Sequence, residues 1–376
     1  MKFIIILFIT TIYTRALFAQ TFESETDTLT KAPVVSPTKL SKEEKAKLPP
    51  PKPILPPNQM IPSNLIQLGK GKYFSKSAIM VDKQKRTLSL WIADENGVPT
   101  HINSFPSDHG RKEGDKIRLG DLRTPEGIYF FQEMYQGNQL NYDMYGKRAF
   151  TTNYPNYFDK KEKKTGSGIW LHSIPKTKTL YRGSRGCVVV RNEVIDYLKS
   201  HIKLKRTPII IENSISYLSK DDFIKSRDNF NHWLSSWTNS WSNKNIDEYM
   251  SFYSDDFKSL QKKMNKRQWR SYKTILNEKY NFISVQADEP IIFIHKDHTS
   301  VSFIQNYQSD KIKDFGQKIL HLKKDGNMYS ILNETWTPAQ PLPQDTPSST
   351  QTLPQNGAAG SLVNTEDVSS SAQNSF

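Results

Sequence analysis

Short apolar runs separated by turn residues dominate the chain between residues 64 and 215. Two of them, at residues 78–81 and 87–92, flank the charged segment 82–86 and predict a β-hairpin. The same pattern predicts an amphipathic helix at residues 193–201 and strands at residues 102–105, 127–132 and 208–212. Short strands punctuated by glycine and proline indicate a mostly β domain over residues 64–215.

The pattern changes in the second half of the chain. Aromatic and aliphatic residues recur at helical spacing from residue 221 to 256 and form a stripe that we interpret as core. Beyond residue 279 the pattern is that of strands, at residues 282–287, 290–295, 299–307, 318–323 and 328–334. Helices followed by strands predict an α+β domain over residues 221–336, a cone with a curved antiparallel sheet.

The two ends of the chain differ in composition from these globular regions. Residues 1–19 combine a lysine with an apolar run, which predicts a signal peptide and export to the periplasm or cell envelope. An uncleaved segment that acts as a membrane tether is the alternative. Residues 20–63 are polar and proline-rich, as in an extended spacer. A short helix predicted at residues 41–48 could pack on a second subunit, so a homodimer is one possibility. Residues 337–376 predict a disordered tail.

Charge and composition narrow the class of protein. The formal net charge of +14 is compatible with a nucleic-acid partner, but the chain has no helix-turn-helix or zinc-finger pattern, so none is expected. For an exported protein the charge suits anionic wall polymers or membrane surfaces, with most lysines simply solvated. His295, His298 and His321 lack metal-ligand spacing, so we expect no metal site, and no organic cofactor is implied.

Cys187 is the only cysteine in the chain and the strongest candidate for chemistry. It opens an apolar, strand-like run, while His172 closes another. Two adjacent strands can therefore bring a thiol nucleophile and an imidazole base together. The N–H groups of Gly186 and Cys187 can form an oxyanion hole, and Ser173 or a backbone carbonyl can orient the imidazole. The alternative is that both are buried structural residues, as lone cysteines and histidines usually are.

The surrounding segment resembles the catalytic motif of YkuD-type L,D-transpeptidases, a histidine followed after a loop by Ser/Thr-His-Gly-Cys. The matching residues are His172, Ser184, Gly186, Cys187 and Val188. There are two departures: Arg185 replaces the usual histidine, and Val189 stands where an arginine is expected, with Arg191 two residues further on. Both departures are familiar in the branch that includes L,D-carboxypeptidases shaping helical cells. Residues 114–131 and 145–159 resemble further motifs of the family.

This resemblance implies an L,D-transpeptidase catalytic fold and a peptidoglycan stem tetrapeptide as substrate. Our candidate catalytic residues are Cys187, His172, Ser173 and Gly186, and our candidate substrate-binding residues are Arg185, Ser184, Tyr154 and Asn156. Arg185 binds a substrate carboxylate or, alternatively, forms a structural salt bridge. The Trp-x-x-x-Trp spacing of the second region resembles a nuclear-transport-factor-2-like (NTF2-like) domain, which usually offers a pocket rather than a chemistry.

Three functions stay open at this point. Transfer of the acyl group to an amine makes the protein a transpeptidase, and transfer to water makes it an L,D-carboxypeptidase that trims tetrapeptide to tripeptide. A non-catalytic wall-binding scaffold is the third hypothesis. The first two share a thioester intermediate on Cys187, so the motif does not separate them.

Overall fold

The structure, a computed structural model, describes residues 52–342 except Arg182 and Asn327. Four predicted segments lie outside the described residues: the signal peptide, the helix at residues 41–48, residues 20–51 of the spacer and residues 343–376 of the tail. Within the described part of the chain, no helix is long and apolar enough to cross a membrane.

The N-terminal part is built mainly from strands, as predicted. In chain order its elements are β1 (Ile61–Pro62), β2 (Leu65–Gln67), β3 (Ser77–Asp82), β4 (Thr87–Ala93), β5 (Pro99–Pro106), β6 (Gly127–Gln136), α1 (Tyr142–Tyr145), β7 (Arg148–Thr152), α2 (Tyr157–Lys161), β8 (Trp170–Ile174), β9 (Val188–Arg191), α3 (Asn192–Lys199), β10 (Pro208–Glu212) and β11 (Tyr217–Leu218). Eight strands form one sheet in the order β5-β4-β3-β10-β6-β7-β8-β9. The parallel neighbours β8 and β9 therefore lie side by side at one end of this sheet.

The core of this part lies behind β8 and β9. Leu171, Val188 and Val190 are buried in one cluster together with Ile195 and Leu198 of α3. The helix buries the face that its amphipathic pattern predicted. Burial of an aliphatic side chain of this size stabilises the fold by about 1.5–3 kcal/mol. The two strands are thus held firmly from one side.

The C-terminal part combines helices with a curved antiparallel sheet, the predicted α+β arrangement. Its elements are α4 (Lys220–Ser242), α5 (Ile246–Ser251), β12 (Lys258–Ser259), β13 (Met264–Asn265), α6 (Lys266–Lys279), β14 (Ile283–His295), β15 (His298–Ser309), β16 (Lys313–Asp325) and β17 (Met328–Pro338). The five-stranded sheet has the order β17-β16-β15-β14-β2. The aromatic stripe of α4 is core, as interpreted from the sequence, because Phe230, Trp237 and Trp241 are buried against the sheet.

Two elements differ from the sequence-based prediction. β14 is one strand where two are predicted, and its pairing with β15 shifts around Glu289. Glu289 has a φ of 48° and Pro290 has no N–H to donate, so the ladder is interrupted while the strand continues. The prediction also lacks α6, although Asn265 and Gln268 form a capping box at its start. That capping box is the signal that could have identified the helix.

The two parts share contacts and do not form separate modules. Strand β2 belongs to the second sheet, where Leu65 lies opposite Phe293 of β14. Ile210 of β10 is buried in the same cluster as these two residues. The rings of Phe130 and Phe293 meet edge to face with centroids 6.2 Å apart. Strand β1, which falls within the predicted spacer, pairs with β11, so ordered structure begins before residue 64.

A buried ion pair in the second part leads to a prediction about stability. Lys318 Nζ lies 2.7 Å from one carboxylate oxygen of Glu334, and Tyr253 donates a hydrogen bond to the other. Lys318→Met leaves a buried carboxylate without its cation, and we expect the free energy of unfolding in urea to fall by about 3–5 kcal/mol. Adding Glu334→Gln should recover much of this loss. Lys266→Met, which breaks an exposed pair with Asp255, is the control that should leave the urea midpoint unchanged. A loss no larger than the control's would contradict the prediction.

Candidate active site

The pairing of β8 with β9 puts the candidate base and nucleophile on one face of the sheet. His172 lies opposite Val189 in the parallel ladder. Cys187 precedes Val189 by two residues, and side chains two apart on an extended chain point to the same side. The other face carries Leu171 and Val188, which belong to the core. The thiol and the imidazole therefore project from the same face, away from the core.

The sulfur of Cys187 lies against the backbone that leads into β8. Its S–H donates to Gly168 O at 3.5 Å, and the side chain is partly exposed. Burial raises the pKa of the Cys187 thiol above its ordinary value, while a hydrogen bond from the Trp170 backbone and the charge of Lys116 oppose that rise. The resting sulfur at neutral pH is therefore a thiol, and its attack on a substrate requires a base.

His172, the candidate base, is oriented by its own strand. Its Nδ1 lies 2.9 Å from Ser173 O, and Nδ1 carries the proton because a carbonyl oxygen can only accept. Nε2 is then the unprotonated nitrogen. The ring of Tyr145 meets the imidazole edge to face, with centroids 5.1 Å apart. Burial lowers the pKa of His172 to about 4, despite the opposing effect of the bond to Ser173, so the imidazole is neutral at pH 7.

Ser173 orients the imidazole through its carbonyl, which is one of the two alternatives that the sequence leaves open. Its hydroxyl has another role, because it accepts a hydrogen bond from Lys147 N at 3.0 Å. The same hydroxyl lies 3.4 Å from Tyr145 O, to which it donates. Asn192 Oδ1 also accepts from Lys147 N at 3.0 Å. Together these bonds fix the turn after α1, which holds Tyr145 against His172.

Ser184 and Gly186 shape the loop that precedes the nucleophile. Ser184 Oγ donates to Cys187 O at 2.7 Å and accepts from Gly186 N at 3.1 Å. The predicted oxyanion donor Gly186 N–H is thus bonded inside the loop and has to exchange partners before it can bind a substrate oxygen. This leaves the N–H of Cys187 as the first candidate for the oxyanion hole. Ser184, predicted to bind substrate, connects the two ends of the loop in the structure.

Gly186→Ala is expected to lower kcat/KM for the expected tetrapeptide substrate by about tenfold or more. The residue has a φ of 139°, and a Cβ there would lie 2.8 Å from Arg123 O, so the loop has to move. Gly97→Ala is a matched control, since Gly97 also has a positive φ of 76° but no described heavy atom within 4 Å of its Cβ position. The control should lower the melting temperature and leave kcat/KM unchanged. Steady-state kinetics that are equal for both variants would contradict this role of Gly186.

The arginines of the motif have different environments. Arg185 is exposed on the loop before the nucleophile, where a substrate carboxylate can reach it. Arg191 instead donates from Nη1 to Pro175 O at 2.9 Å and to Lys178 O at 2.7 Å. Its guanidinium therefore holds the turn that follows β8. Of these two arginines, Arg185 is the exposed one, whereas Arg191 is bonded to backbone carbonyls.

Tyr154 and Asn156, predicted to line the substrate groove, have internal partners in the structure. The Tyr154 side chain is buried in the core and donates to Thr165 O at 3.2 Å. Asn156 caps the start of α2 by accepting from Asp159 N at 3.0 Å, and its amide donates to Ile128 O at 2.9 Å. A tyrosine in a loop motif can pack in a core, and an asparagine can cap a helix, as readily as either can bind a ligand. Both residues thus have internal partners, and their part in substrate binding stays a prediction.

A buried cation that acts on the charge of Cys187 is absent from the sequence-based prediction. It lies on the segment 114–124, which we call the wall loop. Lys116 Nζ lies 2.8 Å from Asp121 Oδ1, and both side chains are largely buried. Ile117 O accepts from Thr165 N at 3.0 Å, so the loop is fastened to the backbone that continues toward Gly168. A lysine in a loop is usually solvated, so the sequence gave no sign that Lys116 is buried.

The second part contains a cavity of about 360 Å³ between α6 and the curved sheet. Trp241 and Trp336 line it with buried indole N–H groups that have no hydrogen-bond partner in the described residues. Lys273 Nζ sits 3.3 Å from the centroid of the Trp241 ring, and burial lowers the pKa of this lysine well below its ordinary range. In the described part of the chain, no group of three or more His, Cys, Asp or Glu side chains is arranged to hold a metal ion.

Two family models match the chain. Residues 76–211 match YkuD, the L,D-transpeptidase catalytic domain. Residues 229–335 match Cds6_C, the C-terminal NTF2-like domain of Cds6. No curated protein matches the chain.

Solved structures match most of the described chain. Bd1075 of Bdellovibrio bacteriovorus is 42% identical, with a TM-score of 0.69, over 75% of this chain and 99% of that one. Pgp2 of Campylobacter jejuni, described as a helical cell shape determining protein, is 25% identical, with a TM-score of 0.57, over 73% of this chain and 96% of that one. A point mutant of Pgp2 is 26% identical over 72% and 94%, with a TM-score of 0.57. The chain therefore belongs to the YkuD L,D-transpeptidase family, as its motif predicted, and carries an NTF2-like domain after the catalytic domain.

Proposed function

We propose that this protein is an exported, cysteine-dependent L,D-transpeptidase that acts on the stem tetrapeptides of peptidoglycan in the cell envelope. The observation that carries the proposal is the joint placement of Cys187 and His172 on one sheet face, with Nε2 of the imidazole unprotonated. Membership of the L,D-transpeptidase family supports the substrate class. The signal peptide predicted from the sequence of residues 1–19 is the basis for proposing export.

The reaction begins when the sulfur of Cys187 attacks the carbonyl of the third stem residue, in the peptide bond to the fourth. Because the Cys187 thiol is protonated at rest, His172 Nε2 takes the proton as the sulfur attacks. The Cys187 N–H, joined by Gly186 N–H once the loop bond is released, stabilises the developing oxyanion. The imidazolium then gives its proton to the departing D-alanine amine. A thioester between the tripeptide and Cys187 remains.

The acceptor decides between two related activities. An amine of a neighbouring stem attacks the thioester to give a cross-link, and water attacks it to give a free tripeptide. Trimming by an L,D-carboxypeptidase is the second candidate function, and the similarity to a helical cell shape determining protein favours it. Both outcomes use the same nucleophile and base.

Product analysis on a defined disaccharide tetrapeptide tests both candidates. Purified protein is incubated with the tetrapeptide, and the products are resolved by mass spectrometry. Dimers indicate transfer and tripeptide alone indicates hydrolysis. The absence of both products would count against either activity. Cell fractionation, with mass analysis of the mature N-terminus, tests export and separates a cleaved signal peptide from a membrane tether.

A further inference from the structure

The turn between β14 and β15, residues 295–298, extends from the NTF2-like domain onto the catalytic domain. We call it the docking turn. Three of its side chains each meet a different carboxylate: His295 Nδ1 lies 2.8 Å from Glu212, Lys296 Nζ lies 3.2 Å from Glu126, and His298 Nε2 lies 3.3 Å from Glu162. A single turn is thus tied to three separate segments of the catalytic domain.

The contact of Lys296 leads to the ends of the wall loop. Glu126 is buried and also pairs with Lys83, whose Nζ lies 3.0 Å away. That same Nζ donates to Gly114 O at 2.7 Å and to Thr124 O at 2.9 Å, the first and last residues of the wall loop. Lys83 therefore holds the loop closed at its base. Lys296 shares the carboxylate that holds Lys83 in place.

The contact of His298 leads to the same loop by a second route. Glu162 lies 3.0 Å from Lys164 Nζ, and Lys164 lies 2.7 Å from Asp115 of the wall loop. The His298 ring also stacks on Phe158 of α2, with centroids 4.1 Å apart and planes at 10°. The histidine is thereby fixed over the residues that link α2 to the wall loop.

The wall loop in turn contacts the nucleophile's surroundings. Its Lys116 provides the positive charge that opposes the raised pKa of Cys187. Its Arg123 O lies 2.8 Å from the position that a Cβ at Gly186 would take. A shift of this loop would alter both the charge beside the sulfur and the space for the loop that carries it. Displacements of about 1 Å near a catalytic group can cost up to about 100-fold in rate.

We propose that Lys296 and His298 are positioning residues for the catalytic cysteine. They act from the NTF2-like domain through Glu126 and Glu162, whose partners Lys83 and Lys164 contact the wall loop. The NTF2-like domain is then part of the working active site as well as a binding module. The turnover readout of this inference rests on the proposed function. Its thiol-reactivity readout does not, because Cys187 is the only cysteine in the chain and reports on itself.

Lys296→Met tests the proposal. The Lys296 side chain is 56% exposed, so its removal should leave the full-length protein folded. We expect alkylation of Cys187 by iodoacetamide at pH 7 to slow by about 3- to 10-fold. The reason is that a shift of the wall loop moves the charge of Lys116 away from the sulfur. We expect kcat to fall by a similar factor with KM within about twofold. His298→Gln should act in the same direction, and Lys296→Arg should restore the wild-type rates.

Lys313→Met is the matched control, since it removes one exposed lysine from the far end of the same sheet. It should leave alkylation and kcat unchanged. Wild-type alkylation in Lys296→Met would overturn the proposal, and so would a lower melting temperature with unchanged kinetics, which indicates a purely structural contact. If the wild-type protein shows no turnover at all, the proposed function fails, while the alkylation profiles still decide the role of the docking turn.

Discussion

Cys187→Ala is expected to remove turnover of the tetrapeptide, lowering kcat by roughly 10⁴-fold or more. The proposed reaction proceeds through a bond to this sulfur, and loss of a covalent nucleophile leaves only binding and oxyanion stabilisation. Mass analysis of products after long incubation is the measurement. In wild-type protein quenched early, the same analysis should detect a mass increase from the acyl group, and this adduct should be absent in the variant.

Lys176→Ala supplies the control for this experiment, because Lys176 is exposed on the connection between β8 and the nucleophile loop. It should keep wild-type turnover. Undiminished turnover in Cys187→Ala would exclude this site as the catalytic centre. If Cys187→Ala shows no turnover but still restores the shape of cells that lack the wild-type protein, the wall-binding scaffold is favoured instead.

His172→Gln is expected to lower kcat/KM by about 10²–10⁴-fold, the usual contribution of a positioned general base. In the wild-type protein, the pKa of about 4 for His172 also predicts an unusual pH profile. An ordinary histidine with a pKa near 6.5 would cause activity to fall below pH 7. Here kcat/KM should hold down to about pH 5 and fall by half only near pH 4.

The same shift affects stability with a definite sign. The pKa of His172 is lower in the folded state than in the unfolded state, so the fold favours the neutral imidazole. The stabilisation is present above pH 6.5 and is lost as the pH falls from 6.5 toward 4. His172→Gln should therefore weaken the acid dependence of the free energy of unfolding. A fall of kcat/KM centred near pH 6.5 in the wild-type protein would contradict the pKa of about 4 on which both the pH profile and this stability effect depend.

Much of the fold follows from local pattern. The strands around β3, β4 and β10 and the buried face of α3 are visible in the spacing of apolar residues, because side chains alternate along strands and recur every three to four residues in helices. The relation between Cys187 and His172 is also accessible, since both residues border apolar runs. The structure adds the parallel pairing of those two strands, which puts both side chains on one face.

Other features depend on contacts between distant segments and left no local signal. Lys116 is buried only because the wall loop folds over it, and its charge matters only because Cys187 lies nearby. Tyr154 and Asn156 belong to a family-like motif, yet their partners are backbone atoms elsewhere in the fold. Sequence patterns report which faces are apolar, whereas the partners of polar side chains are set by tertiary structure.

Strand β2 has a consequence for how this protein can be divided. It lies before residues 76–211, which match the catalytic family model, but it completes the sheet of the C-terminal part. A gene fragment that starts at residue 221 would encode a sheet with β14 as a bare edge, free to pair with another polypeptide. Residues 65–67 should therefore be included with the C-terminal half when the halves are exchanged between relatives. The same holds when the C-terminal half is expressed alone for crystallography.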